Sequence, residues 1–438
     1  MIRSFSIGLL ATGLLVSGLV QAQDPYLRAS LEAREALSDD ASVIPQLYLA
    51  MTNANVVNVR NGEILRSVTV VVRDGKILSV GDDGPPRGAE VVDMMGRYIT
   101  PGLFEGHFHG GNVGAAQRAL VSGVTTAKGA SVGGYTDVAL RDMVKAGLLV
   151  GPDILAAGVY VTPELGDTNA VLADPRLQKY TNKVLHGEEA LRDVVSINAD
   201  RGVDWIKTRT SGLSSRTGGP DALTMVYSES ELGAIMDEAA KHDIPVSCHA
   251  HGIEVVIAGI EAGCASIEHA SYINDEGLRL MKERGTLWIP TYISVTGFML
   301  PHDDYNSTIA RQRYPHIDEN LRRMIRRGHE MGITILTAVD SGYGPESVYR
   351  VSGEINAFID FGMTPLEALQ AATVKSAEAY GLGKQTGAIE AGLEADLLVF
   401  DRDPLLQPSV LSNPLMVMSN GRIGLNRHVG SNKILPGH

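Results

Sequence analysis

Cysteine is nearly missing from this chain, with only Cys248 and Cys264 among 438 residues. So few thiols exclude a disulfide-built scaffold. Both flank apolar, strand-like runs within one presumed strand-helix-strand unit, and they are read as two small buried thiols rather than a pair. Basic residues are also short, 38 Lys and Arg against 51 Asp and Glu, giving a net charge of -13. That balance argues against nucleic acid or an anionic membrane surface as partner. A comfortable membrane span is lacking too. Ile7 to Val20 is apolar but short, follows Arg3, and leads into Val20-Gln21-Ala22, small residues at -3 and -1 of a cleavage site. Residues 1–22 therefore read as a signal peptide cleaved near Ala22, and the mature chain as periplasmic or secreted, with no membrane contact afterwards. No cysteine directly follows the cleavage site, which argues against a lipid anchor there. Short-period repeats and low-complexity tracts are absent as well.

What is present is ordinary globular composition, 44% hydrophobic and 20% charged, with length for a large core and a smaller satellite. Residues 23–45 read as a polar, partly helical arm. Short β runs separated by Asn61-Gly62, Asp74-Gly75 and Asp82-Asp83-Gly84 follow from Leu47. The same texture returns in Ala395–Asp401 and Pro414–Met418, so residues 46–98 and 384–430 are expected to form one small β domain from both ends of the chain. Between them, over 99–383, apolar strands alternate with amphipathic helices. Strands are expected near Tyr98, Val124, Asp153, Asp204, Ile244, Ala265, Leu287 and Thr334. Eight such units fit a (β/α)8 TIM barrel, giving an α/β fold with a small β-sandwich domain.

Chemistry in such barrels lies at the carboxyl ends of the strands. His107 and His109 end the first, and side chains two apart on a strand share a side, as two ligands of one metal must. Alone, that spacing is a weak signal. The fourth strand closes on Lys207, the fifth carries His249 and His251, the sixth ends in His269 and the eighth in Asp340. Five histidines, a lysine and an aspartate at matching strand ends are hard to explain as ordinary core residues.

These residues lie in Thr100-Pro-Gly-Leu-Phe-Glu-Gly-His-Phe-His109, Gly123-Val-Thr-Thr126, Asp204-Trp-Ile-Lys207, His249-Ala-His-Gly252, Ser266-Ile-Glu-His-Ala270 and Ala338-Val-Asp-Ser-Gly342. With Gly362–Thr373 and Gly387–Asp396, these stretches resemble the amidohydrolase superfamily over nearly all of the mature chain. Within it the chain is most similar to the branch of prolidase-like and carboxypeptidase-like dipeptidases that includes ochratoxin-hydrolysing amidases, with imidazolonepropionase-like enzymes as neighbours. The resemblance implies two divalent ions, zinc being usual. His107, His109 and Asp340 would hold one, His249 and His269 the other, and Lys207, carrying a CO2-derived carbamate, would bridge them. A lysine ammonium is a poor neighbour for two cations, whereas its carbamate is an anionic oxygen bridge; a salt-bridging lysine beside a single metal is the alternative. Two metals would supply hydroxide at neutral pH by acidifying a bridging water and would polarise the substrate carbonyl. Asp340 would move the proton to the leaving amine, or serve as ligand only.

His251 is assigned to the substrate carbonyl or its oxyanion, a structural histidine being the alternative. Glu268 is expected to point away from the site and pack against a helix. Glu105 stands where relatives carry Asp and could orient a ligand. The Gly- and Ser-rich stretch 211–220 is expected to line the substrate, with Arg216 and Tyr227 holding a substrate carboxylate. An ordinary surface arginine and a packing tyrosine are the alternatives. Related dipeptidases carry a Gly-Gly-His segment after the third strand; here Val159–Asp167 has no histidine, so leaving-group preference does not carry over. The long loop from Ile293 to Pro315 is read as a lid or an oligomer contact, and family analogy suggests a homo-oligomer such as an octamer. The expectation is an exported binuclear hydrolase that cleaves small-molecule amides of N-acyl amino acid or dipeptide type, ochratoxin-like amides included. The rival with the same centre hydrolyses cyclic amides or lactones. A one-metal deaminase and a catalytically dead metal-binding protein are weaker rivals.

Overall fold

The computed structural model describes residues 48–215, 221–300 and 306–427. The expected signal peptide and the arm at 23–45 lie outside the described residues, as does Arg216.

Short, β-branched runs between Asn-Gly and Asp-Gly turns become the first strands: β1 (Leu49–Val57), β2 (Ile64–Arg73), β3 (Lys76–Gly81), β4 (Glu90–Asp93) and β5 (Tyr98–Pro101). They join β13 (Leu397–Phe400), β14 (Met416–Ser419) and β15 (Arg422–Asn426) from the other end of the chain in one eight-stranded sheet. Its order is β15-β14-β13-β5-β1-β2-β3, with β4 also on β1. Alternate residues of β2, namely Val68, Val70 and Val72, pack with Met51, Ile77, Ile99, Leu397, Val399 and Met418 into a core of its own.

The remaining strands are parallel and separated by helices, and the molecule is of mixed α/β class. β6 (Leu103–Phe108), β7 (Val124–Gly129) and β8 (Asp153–Leu155) make one sheet; β9 (Ile206–Arg209), β10 (Val246–Ala250), β11 (Ser266–His269) and β12 (Leu287–Ile289) make another. Single parallel bridges continue the pairing, Val161 to Thr208, Trp288 to Ile335 and Phe108 to Ser341.

Three expectations need correction. The run from Tyr98 to Phe108 is not one strand: Pro101-Gly102 divides it, with β5 in the eight-stranded sheet and β6 in a parallel one. The eighth strand is an extended segment rather than a regular strand, because Leu336 N–H reaches β12 at Trp288 O while later amides bond elsewhere. Thr337 N–H donates to Ala371 O and Val339 N–H to the Glu105 carboxylate. The loop from Ile293 to Pro315 is in good part helical: Tyr292–Thr296 and Gly297–Met299 are short helices, and Thr308–Glu330 runs straight through Pro315.

The thiols are corrected as well: Cys248 and Cys264 form a disulfide with Cα atoms 6.0 Å apart. Cys248 lies on the opposite side of β10 from Ser247 and His249. The helix Ile253–Ala262 ends at Gly263, whose φ of 102° is a glycine conformation, and that turn returns Cys264 to β10. Spacing in sequence does not announce such a turn.

Candidate metal centre

β6 delivers His107 and His109 to one side, as strand alternation requires, and their Nε2 atoms lie 3.1 Å apart. Gly106 makes this possible. Its N–H donates to Thr337 O at 3.0 Å, and a Cβ there would lie 2.9 Å from that same oxygen, so only glycine lets the strand approach the Asp340 segment so closely. Asp340 Oδ1 then stands 3.4 Å from His107 Nε2 and 3.2 Å from His109 Nε2. Glu105, wholly buried, accepts from the N–H groups of His107 and Val339 at 2.9 Å each and from Tyr343 Oη at 2.9 Å. It ties together the backbones that carry two of the expected ligands rather than touching an imidazole. Burial pushes its carboxyl up to about 7, against the pull of those three donors.

From the other parallel sheet come Lys207, His249 and His269, all nearly buried, with His251 just beyond the end of β10. Ring centroids of His249 and His269 are 4.5 Å apart, His107 and His269 5.0 Å, and His251 and His269 4.9 Å. Nitrogens of His249, His251 and His269 fall within 4.8 Å of one another, as do donor atoms of His107, His109 and Asp340. Thus every metal ligand expected from the sequence comes to one place. His251, expected at the substrate, stands as close to His249 and His269 as a ligand would.

The rings are fixed from behind. His109 Nδ1 meets Ser131 O at 2.9 Å, His251 Nδ1 meets Ser271 Oγ at 2.8 Å and His269 Nδ1 meets Thr291 Oγ1 at 2.7 Å. Each contact leaves Nε2 for the centre. Burial, reinforced by neighbouring cations, holds His107, His249 and His269 far below the usual imidazole range; burial draws His251 down to about 3. His107, His249, His251 and His269 are therefore neutral at pH 7, the form that binds metal. His269 and Asp340 both have left-handed backbones, φ 68° and 50°. Such conformations are costly for non-glycine residues and cluster at functional sites.

Glu268 corrects the expectation that it packs on a helix. Alternation fails because His269 leaves the extended region, and both side chains enter the site. Glu268 is wholly buried, touches Lys207 Nζ through Oε2, and lies 3.5 Å from His107 Nδ1. Lys128 on β7, which sequence reasoning missed, closes this group. Its Nζ is 3.0 Å from Glu268 Oε1 and 2.9 Å from Ser247 Oγ. Burial draws Lys128 down to about 7, and burial with the nearby Lys128 charge holds Lys207 far below its usual value. A lysine ending an apolar strand was the signal that singled out Lys207; Lys128 carries the same one. Arg209, two residues after Lys207 and buried against Glu164, was also overlooked.

A cavity of about 230 Å³ opens onto the centre. The histidines, Lys207 and Asp340 line it together with Tyr160, Leu213, Ser214, Ser215, Val295 and Phe298. Of the stretch 211–220, Leu213, Ser214 and Ser215 line the cavity, and 216–220 lie outside the described residues. Tyr160, from the segment without a histidine, stands with its ring 5.7 Å from Lys207 Nζ. Tyr227 is buried, packs edge-on against His186 at 5.5 Å, has no hydrogen-bond partner for its hydroxyl, and does not line the cavity.

The sequence profile of the Amidohydrolase family matches residues 98–424. Ochratoxinase from Aspergillus niger is 28% identical over 400 residues, covering 82% of either chain. Its crystal structure superposes with a TM-score of 0.74 over 89% of this chain and 98% of that one, at 24% identity. Imidazolonepropionase from Chromobacterium violaceum is 25% identical over 375 residues, 77% of this chain and 86% of the relative. A Xaa-Pro dipeptidase crystallised with methionine in its active site gives a TM-score of 0.73 at 23% identity, covering 86% of this chain and 99% of that one. At such identities the solved structures speak for the fold.

Proposed function

We propose, because this chain belongs to the amidohydrolase family and is a hydrolase of amide C–N bonds, that it is an exported binuclear enzyme acting on N-acyl amino acids or dipeptide-like amides. The observation that carries this reading is the convergence of five imidazoles, Asp340 and Lys207 on one cavity. The two parallel sheets, joined by single bridges, are read here as a (β/α)8 barrel with the centre at its carboxyl mouth. The disulfide supports export, since such bonds persist in oxidising compartments.

The donor set suits divalent ions. His107 Nδ1, Lys207 Nζ and Glu268 Oε2 are buried polar atoms that crowd against one another and have no hydrogen-bond partner beyond that group, amid imidazoles and carboxylates. His107, His109 and Asp340 would hold one ion and His249 and His269 the other, zinc being the metal that such donors favour. Lys207, held neutral by burial, is the form of amine that takes up CO2 to give a bridging carbamate. When bound, the ions supply an acidified water and a polarised carbonyl.

This chain's own residues do the rest. The Asp340 carboxylate takes the proton of the attacking water and returns it to the leaving nitrogen, which departs as an amine. His251, anchored at Nδ1 by Ser271, presents Nε2 to the carbonyl oxygen as negative charge develops there. Leu213, Val295 and Phe298 give the acyl or side-chain group an apolar wall. Arg216 is kept as the proposed holder of the substrate carboxylate; Tyr227, packed on His186 away from the cavity, takes the packing role instead. Ochratoxin-like amides fit the reading, since a relative is named for that substrate. The second reading, hydrolysis of cyclic amides or lactones, is favoured by the likeness to imidazolonepropionase.

A screen of the zinc-loaded enzyme against N-acyl amino acids, dipeptides, lactams and lactones separates the two. Turnover confined to the cyclic compounds would reject the first. Two zinc ions per chain, and a carbamate signal from Lys207 after exposure to carbon-13-labelled bicarbonate, are expected. One ion and an unmodified lysine would reject the binuclear centre.

A further inference from the structure

Far from the metal centre, three carboxylates are gathered where the amino end of β8 meets the eight-stranded sheet. Donor oxygens of Asp153, Glu394 and Asp396 lie within 4.8 Å of one another. Asp396 is buried, accepting from Thr386 Oγ1 at 2.7 Å and from the Asn420 N–H at 2.8 Å; Asn420 Nδ2 donates to Asp153 Oδ1 at 3.0 Å. These neutral donors position the carboxylates without supplying charge. Lys76, Lys145 and Arg422 line the same cavity as Asp153 and Glu394 and favour the charged forms of both through space. Lys76 Nζ reaches Gly392 O and Arg422 reaches Val144 O, while Lys145 and Arg422 influence Asp153 only through space.

A second, independent observation lies opposite. Thr126 pairs in register with Asp153 across β7 and β8, so the two side chains share a face. Thr126 is 1% exposed, its Oγ1 has no hydrogen-bond partner, and it lines the same cavity as Asp153 and Glu394. A buried hydroxyl left unpaired beside crowded carboxylates is costly unless something accepts its lone pairs. Burial, with Asp153 next to it, pushes Asp396 up to about 7.

We propose that Asp153, Glu394, Asp396 and the Thr126 hydroxyl form a site for a hard divalent cation, calcium or magnesium, which joins β7 and β8 to the eight-stranded sheet. All four donors are oxygen, the ligand set of these ions and a poor one for zinc in competition with imidazoles. The cation binds all three crowded carboxylates directly and gives Thr126 Oγ1 an acceptor for a lone pair. Its role is structural, since the site is separate from the cavity that holds Asp340.

The test is calorimetric titration of the zinc-loaded full enzyme with calcium chloride and, separately, magnesium chloride, alongside thermal unfolding. About one ion per chain is expected, with a Kd on the order of 10⁻⁴ to 10⁻³ M and a rise in Tm at saturation. Whichever salt gives the larger effect identifies the ion. Glu394→Gln and Thr126→Val should each weaken binding by about tenfold or more while amide hydrolysis is retained. Asp396→Asn should abolish binding, and should it not fold, the other two variants decide. No binding of either ion to the zinc-loaded enzyme, or unchanged affinity in Glu394→Gln, overturns the proposal. A Tm that rises on mild acidification but not with either salt also overturns it, assigning the cluster to a shared proton.

Discussion

Lys128 and Glu268 make the strongest case for a single buried contact deciding the shape of the centre. Both are wholly enclosed, 3.0 Å apart, and Ser247 bonds to each. Breaking a buried pair by removing one partner leaves an uncompensated charge, a cost of about 3–5 kcal/mol. Lys128→Met should therefore lower unfolding free energy by roughly that amount, and Glu268→Gln added to it should recover part of the loss. Chemical denaturation of the two variants checks this; a cost below about 1 kcal/mol for Lys128→Met would mean that Glu268 is satisfied from elsewhere. Asp340→Asn tests a different role. The amide keeps the size of the side chain but cannot take up a proton, so kcat should fall by about two orders of magnitude or more while at least one ion is retained. Wild-type turnover in that variant would remove the proton-moving role. The residues that were legible in sequence are those whose spacing carries geometry: two imidazoles on one strand, a lysine closing another. Glu268 was misread because strand alternation was extended through His269, where the backbone turns left-handed. Tyr160 and Arg209 gave no signal that distinguishes them from packing residues.

At the scale of elements, the sequence located most strand and helix starts because hydrophobic period and cap chemistry agree. The helix Glu229–Lys241 shows why. Ser228 Oγ accepts from the Glu231 N–H, and the Glu231 carboxylate returns to Ser228 N–H, a capping box. Glu231 also accepts from Gly187 N–H at 2.8 Å and His186 Nδ1 at 3.0 Å, binding the preceding helix's start to this one. Burial alone would raise its carboxyl, but these donors prevail and hold it at about 2. A carboxylate depressed in the folded state contributes stability above its unfolded value, about 4.5, and loses it as pH falls through about 2. Glu231→Gln should thus cost about 1 kcal/mol near neutrality, and the gap to the natural chain should narrow steadily between about pH 4.5 and 2. Urea titrations of both proteins across that range decide it, a constant gap counting against the charge. What stayed illegible at this scale were segments whose backbone donors serve side chains, above all the stretch before Asp340. No local pattern reports that Val339 N–H will be taken by Glu105, far away in sequence.

For the whole molecule, the expected ligands come from both parallel sheets: His107 and His109 from β6, Lys207, His249 and His269 from β9 to β11, and Asp340 from the extended segment. Among the described residues, strand pairing between the sheets runs through single bridges at Val161–Thr208, Trp288–Ile335 and Phe108–Ser341, and the Lys128 side chain crosses from β7 to Glu268 and Ser247. Ions bound across that seam would do what a continuous ladder does elsewhere. Binding to the folded chain alone stabilises it by about 4 kcal/mol at a thousandfold excess over Kd, and that stabilisation should act where the ligands meet. Chelation should therefore lower Tm, and hydrogen exchange should rise first at the amides flanking the three bridges. The eight-stranded sheet, with its own core, should keep its protection. β10 and the start of β11 should open least on the parallel side, because the Cys248–Cys264 link closes a short loop there, an effect of about 3 kcal/mol that reducing agent should remove. Zinc should restore protection and hydrolysis together. Exchange that rises evenly over both regions on chelation would mean that the ions add stability without joining the sheets, and the convergence of ligands would then serve chemistry alone.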